Sequence, residues 1–389
     1  MIKIDDSKFD WEKLEEIYET LTKRTLKKYL RYKSINNKKN RLIMLFEQQF
    51  GTNYEEQKTK LYNFFLYASK DAMLDAIDKF SSEKYMDDKS KIVRAMQNRP
   101  SKTIIRNVMK YIREEVDVSD KEWELFENEF STFISNVNTS KRFTKKCKIK
   151  FLSNSRIYSG YTGQDELLQF ISYDNINEDE RSQILKAMNV RVCPYCNRNF
   201  ISNYVVDSQG KIKATADLDH FFLKSKYPIV AMCLHNFIPS CQICNSRLKI
   251  DKDFVLHEHV YPYAESFGYD GKFVLDNINF LYGKKPQYSI YVSENSAIKE
   301  KIRRSVDTFK INRLYENHTD YVDEIISKAQ IYGSSQFDEF IENFSDMFES
   351  KEKLERLVFG NYLMQYDQDK RPLAKLTQDI LTDLGIYDF

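Results

Sequence analysis

The sequence predicts an α+β protein, mostly α-helical, with a small strand-bearing core between two helical regions. Three observations predict it. Chain breakers are scarce over the first 190 residues, which hold one proline, Pro100, and three glycines, Gly51, Gly160 and Gly163. Two cysteine pairs, Cys193-Pro-Tyr-Cys196 and Cys241-Gln-Ile-Cys244, frame a stretch of alternating side chains. Helical spacing then returns from Ser296 to the end of the chain.

Residues 1–185 form the first region. Trp11, Leu14, Ile17, Tyr18 and Leu21 repeat with helical spacing. Two stretches are strongly basic: residues 141–150, and residues 23–41, where nine Lys and Arg interleave with Tyr29 and Tyr32. Either could follow a nucleic-acid backbone, although a solvated helix face is the simpler account of residues 23–41. Residues 153–163 are polar and glycine-bearing, a loop ahead of a helix expected over 165–188 that delivers the chain to Cys193.

The central region, residues 186–265, carries the chemistry. Each CxxC puts two sulfurs within reach of one ion, and four thiolates close a tetrahedral structural zinc site. Forty-four residues separate the pairs, so the segment between them is a folded insert whose ends the metal would draw together. Cys147 and Cys233 lie outside the pattern and read as small buried hydrophobes. Residues 214–222 alternate apolar and polar side chains, a strand that His220 would end. A second extended stretch, residues 236–241, leads into residues 242–249, where Cys244, Arg247 and Leu248 have helical spacing. The local order is strand, strand, helix, with Asn245 in the first turns of the helix, near its partially positive end.

These residues resemble the HNH endonucleases, whose core is a ββα-metal fold often held by a zinc knuckle; here the variant is H-N-N. The resemblance implies that His220 is the general base, that Asn236 braces the loop carrying it, and that Asp219 with Asn245 holds a catalytic divalent cation. The runs DHFFLKSKYP and NFIPSCQICNSRLK are most similar to the HNH subunit of Septu-type bacterial anti-phage defence systems. The likeness covers about sixty residues. It implies a partner ATPase of the ABC or SMC-like kind that licenses cutting.

The residue types suit phosphodiester hydrolysis. A neutral histidine can activate water near pH 7, and one hard cation can stabilise both the phosphate and the leaving 3′ oxygen. Many HNH nucleases carry histidine where this chain has Asn245; an amide oxygen favours Mg2+ or Mn2+ over softer ions. Asp217 shares a strand face with Asp219 and is a reserve ligand. Lys224, Lys226, Arg247 and Lys249 are candidate phosphate contacts. His257-Glu-His259 is expected to be structural rather than a second metal site, and His318 stands alone among helical residues.

Composition bounds the function. The 389 residues carry a formal charge of only +2 with 30% charged side chains, so nucleic-acid binding belongs to local patches or to a partner. No run of eighteen apolar residues occurs and the first ten residues lack an apolar stretch, so a cytoplasmic protein outside the membrane is expected. The motif GxxxxGK[ST] is absent, so the chain supplies no P-loop ATPase of its own. Residues 266–389 read as a short hairpin, over residues 272–281 and 287–292, that extends the central sheet. Helices near 296–311, 317–332, 335–349, 351–366 and 373–386 follow. DNA is the expected substrate and RNA, tRNA included, the enzymatic alternative. A zinc-knuckle adaptor without chemistry is the non-enzymatic one.

Overall fold

The computed structural model describes residues 1–36, 41–80, 167–201, 203–205, 212–276, 278–332 and 350–386, with positions 339, 342 and 343. The expectations for Cys147, for residues 141–150 and 153–163, and for most of 335–349 lie outside the described residues.

The fold is α+β and mostly helical. The first helices are α1 (Trp11–Ile35), α2 (Arg41–Phe50), α3 (Tyr54–Tyr67) and α4 (Lys70–Phe80). Asp10 starts α1 by accepting from the Lys13 amide, which satisfies a donor the helix itself cannot. Leu14, Ile17, Tyr18, Leu21, Leu26, Tyr29 and Tyr32 then form one buried stripe. Tyr29 stacks on Phe46 of α2 at 4.0 Å, and Phe170 closes on both rings. The basic residues of α1 divide as a solvated face would: Lys23, Lys27 and Arg31 are exposed, while Arg24 forks onto Glu180 at 2.8 Å and Lys33 pairs with Glu47.

Helix α5 (Glu178–Met188) is shorter than expected. Asn177 opens it with a reciprocal capping box to Glu180, so a 3-10 turn, Tyr173–Asn175, precedes it where a longer helix was predicted. A small hairpin, β1 (Asn203–Val205) with β2 (Ile212–Ala214), follows.

Strands β3 (Asp217–His220) and β4 (Phe237–Ser240) pair antiparallel, with Asp217 opposite Ser240 and His220 opposite Phe237. A short π-helical segment, Ile243–Lys249, completes the expected strand, strand, helix order. The next hairpin, β5 (Gly271–Leu275) with β6 (Tyr288–Val292), differs from expectation. Its strands pair with each other and do not extend the β3–β4 sheet. The amides of Phe273 and Leu275 are instead engaged by Asp379 and Asp383, which ties the hairpin to a helix. That helix is α10 (Ala374–Asp383), preceded by α6 (Lys299–Thr308), α7 (Ile311–Tyr315), α8 (Thr319–Ile331) and α9 (Lys351–Phe359).

One hydrophobic cluster runs from Met1 to Leu381 and takes in residues of all three regions, with the four paired cysteines inside it. No described helix is long and apolar enough to cross a membrane.

Candidate functional site

The two CxxC turns meet as the spacing requires. At the first, Asn197 adopts a left-handed conformation (φ 50°) and its amide returns to the Cys193 carbonyl at 2.8 Å, curling both sulfurs inward. At the second, Cys241 follows β4 and Cys244 lies in the π-helical segment, whose Asn245 amide returns to the Cys241 carbonyl at 3.1 Å. All four Sγ atoms lie within 4.8 Å of one another and all four residues are buried. Mutual hydrogen bonds hold Cys241 and Cys196 below the ordinary thiol range. Burial pushes Cys193 up, and the hydrogen bonds of the other three thiols do the same to Cys244. Four buried sulfurs so close form a donor set compatible with tetrahedral zinc. Asn199 donates to the Cys241 sulfur at 3.3 Å, a neutral donor of the kind that supports a thiolate.

His220 ends β3, where the pairing with Phe237 fixes its backbone. Its ring is buried, with Tyr173 at 4.7 Å and Phe237 at 5.1 Å, both edge-on. Nε2 lies 3.0 Å from the Ala231 carbonyl oxygen. A carbonyl only accepts, so Nε2 carries the proton and Nδ1 keeps the lone pair. Burial, with Lys224 next in weight, lowers the imidazole pKa to about 3, so the ring is neutral at ordinary pH.

One side chain, that of Asn236, braces the loop that carries Ala231. Asn236, fully buried, accepts from the Phe222 amide at 2.7 Å and donates to the carbonyls of Phe222 and Val230 at 3.1 and 3.0 Å. Val230 directly precedes Ala231, so the Asn236 amide fixes the carbonyl that in turn fixes His220.

The carboxylates are arranged differently from the expected pairing of Asp219 with Asn245. Both Asp219 oxygens are occupied: Lys249 Nζ sits 2.9 Å from Oδ1, and the Tyr195 hydroxyl donates to Oδ2 at 2.6 Å. Lys249 also donates to the His220 carbonyl and is almost wholly buried, at 1% exposure, which removes it from the expected phosphate contacts. Asp217 is the residue that meets Asn245, whose Nδ2 donates to Oδ2 at 3.0 Å, with Ser246 Oγ at 3.4 Å. Asp217 and Asn245 are partly exposed.

The remaining expected residues are dispersed. Lys226 pairs with Asp253 at 2.6 Å, a carboxylate that also accepts from the Tyr227 hydroxyl. Arg247 is exposed; Lys224 is exposed too but is not dispersed, since its Nζ lies 4.0 Å from the centroid of the Tyr173 ring that meets His220. His259 is buried and stacks on Phe254 at 3.8 Å, its Nε2 2.9 Å from Thr308 Oγ1, a structural role. His318 meets the Arg198 side chain at 3.0 Å. Among the described residues, the cysteine quartet is the one cluster of Cys, His, Asp or Glu with metal-ligand spacing. Three participants escape sequence reasoning: Tyr195, Tyr173 and Arg181, whose guanidinium lies 3.9 Å from the centroid of the Tyr173 ring. Tyr195 lies inside the first CxxC and could have been flagged by its hydroxyl; nothing local marks the other two. No family model, curated protein or solved structure matches the chain.

Proposed function

We propose that this chain is a metal-dependent endonuclease of the HNH type, hydrolysing phosphodiester bonds in DNA around a zinc-held ββα core. The observation that carries the proposal is His220. A buried, neutral imidazole has one nitrogen tied to a backbone carbonyl and the other left as a base, and the strand that ends in it begins at Asp217, half of a carboxylate–amide pair suited to a hard cation. Zinc at Cys193, Cys196, Cys241 and Cys244 would be structural, since four protein ligands leave no open position. Mg2+ or Mn2+ would be held by Asp217 and Asn245, whose oxygen donors fit such ions, rather than by Asp219. Once bound, the cation supplies Lewis-acid stabilisation of the phosphate and of the leaving 3′ oxygen.

The chain's own residues do the rest. His220 Nδ1 takes the proton of the attacking water, while Asn236 keeps the ring aimed through the Val230–Ala231 backbone. Burial, and after it Lys224, lowers the proton affinity of His220 in the free protein. A substrate phosphate that neutralises this cation would raise that affinity when the base is needed. The resemblance to defence-system nucleases supports a role in anti-phage defence with a partner ATPase. Co-purification with an ATPase encoded beside it, and dependence of cutting on that partner, test this part.

The direct test is Mg2+- or Mn2+-dependent cleavage of plasmid DNA and tRNA by the purified chain. His220→Ala and Asp217→Asn should each lower the rate by roughly 10^2- to 10^4-fold with zinc content unchanged. Wild-type cutting by His220→Ala would overturn the mechanism. Cutting of tRNA alone would make the enzyme a ribonuclease, and no cutting by any preparation would leave a zinc-knuckle adaptor.

A further inference from the structure

Beside His220 lies a cluster of which the proposed hydrolysis uses only Lys224. Tyr173, in the 3-10 turn ahead of α5, sets its ring edge-on to the imidazole. Two cations stack on that same ring: the Arg181 guanidinium, 3.9 Å from its centroid, and Lys224 Nζ, 4.0 Å from it. They come from different elements, Arg181 from α5 and Lys224 from the turn after β3.

Two like charges on one ring repel, and the local neutralisation is poor. Arg181 donates to the Tyr173 carbonyl at 3.1 Å, and its only described ion pair is to Asp174 at 3.7 Å, through a carboxylate that is 91% exposed. Its Nε is buried and has no partner among the described residues. No described carboxylate forms an ion pair with Lys224, whose ammonium is held below its ordinary range by desolvation and by Arg181. Two cations on one ring with so little neutralising charge favour an incoming anion. The ring is already in use as the seat of two cations, so Tyr173 is poorly placed to stack on a base; the arrangement recognises charge and not sequence.

We infer that Tyr173, Arg181 and Lys224 form a phosphate clamp that grips the nucleic-acid backbone next to His220, with Tyr173 as the post that positions both cations. This rests on the nuclease reading and deepens it. It adds Arg181 as a substrate-binding residue and Tyr173 as a positioning residue, and it predicts backbone recognition indifferent to base identity at this point.

Binding can be separated from cutting by working in the His220→Ala background without added Mg2+ or Mn2+, with a short fluorescein-labelled DNA duplex and labelled tRNA as probes. Adding Arg181→Gln should weaken binding several-fold. It should also reduce the slope of log K against log salt by about one, the signature of one lost phosphate contact. Arg181→Lys, which keeps the charge, should keep the slope. Tyr173→Leu should lose affinity and Tyr173→Phe should recover it, because the ring and not the hydroxyl is the post. In the active chain, Arg181→Gln should raise KM more than it lowers kcat. Zinc content and thermal midpoint, measured on each variant, report whether the fold is intact. An unchanged slope and KM in folded Arg181→Gln would overturn the clamp and leave the nuclease standing; a parent chain that binds neither probe would overturn both.

Discussion

At the scale of single residues, the two aspartates of β3 show what alternation can and cannot decide. Asp217 and Asp219 share a strand face, and the sequence alone makes them equivalent. The segment packed against them separates their roles. A strand returns to the same face after two residues, and four residues come close to one turn of the π-helical segment. Asn245 and Lys249, four apart, therefore meet Asp217 and Asp219, two apart, in register. A lysine thirty positions downstream decides which carboxylate stays available, and no local pattern shows that. The buried trio of Tyr195, Asp219 and Lys249 then runs from the first CxxC to the His220 carbonyl. Lys249→Met should leave Asp219 as an unpaired buried charge and cost about 3–5 kcal/mol, with most of the loss recovered when Asp219→Asn is added. Urea unfolding of the two single variants and the double would measure this. Equal stability of wild type and Lys249→Met would show the pair to be incidental.

At the scale of elements, the strand, strand, helix order was legible because its signals are local: alternation before His220, extended residues before Cys241, and helical spacing after it. The shortened α5 and the separate β5–β6 hairpin were not. Asn177 starts α5 through a side-chain bond to its own third residue, a cap that competes with the upstream helical pattern. The β5–β6 edge is satisfied by carboxylates more than a hundred residues away, Asp379 and Asp383, so alternation could show a hairpin but not its partner. The end of the Ile243–Lys249 segment carries a cost. Ile250 stops it at φ 53° and ψ −100°, a conformation a β-branched side chain strongly resists, while its amide caps the Asn245 carbonyl at 3.0 Å. The side chain is 63% exposed and contributes little packing. Ile250→Gly should therefore stabilise the protein by about 1–3 kcal/mol, read as a higher denaturant midpoint at unchanged slope. A lower midpoint would mean that this backbone is not strained in solution.

At the scale of the whole molecule, the cysteine quartet is the point where distant parts of the chain converge. The Ile2 amide donates to the Pro194 carbonyl at 3.0 Å, inside the first CxxC. The Tyr315 hydroxyl donates to the Cys196 carbonyl at 2.6 Å, and Asn197 is bonded through its backbone and side chain to Gln368, Leu373 and Lys375. The helical regions read from the sequence as flanks are thus tied by hydrogen bonds to the cysteine turns, and one hydrophobic cluster continues through all of them. This dependence was invisible in the sequence because each partner is a backbone carbonyl or amide, which carries no residue-type signal. The consequence concerns metal removal. If zinc closes the quartet, its loss leaves four buried sulfurs without the ion that joins them, and every segment anchored there loses that closure. Stripping zinc with a strong chelator, or replacing Cys241 by serine, should therefore lower the thermal midpoint of the whole chain. Helical signal and aromatic near-ultraviolet signal should be lost together. Loss confined to the near-ultraviolet signal, with the helices melting at their original temperature, would instead mark the quartet as a local staple on a fold that stands without it.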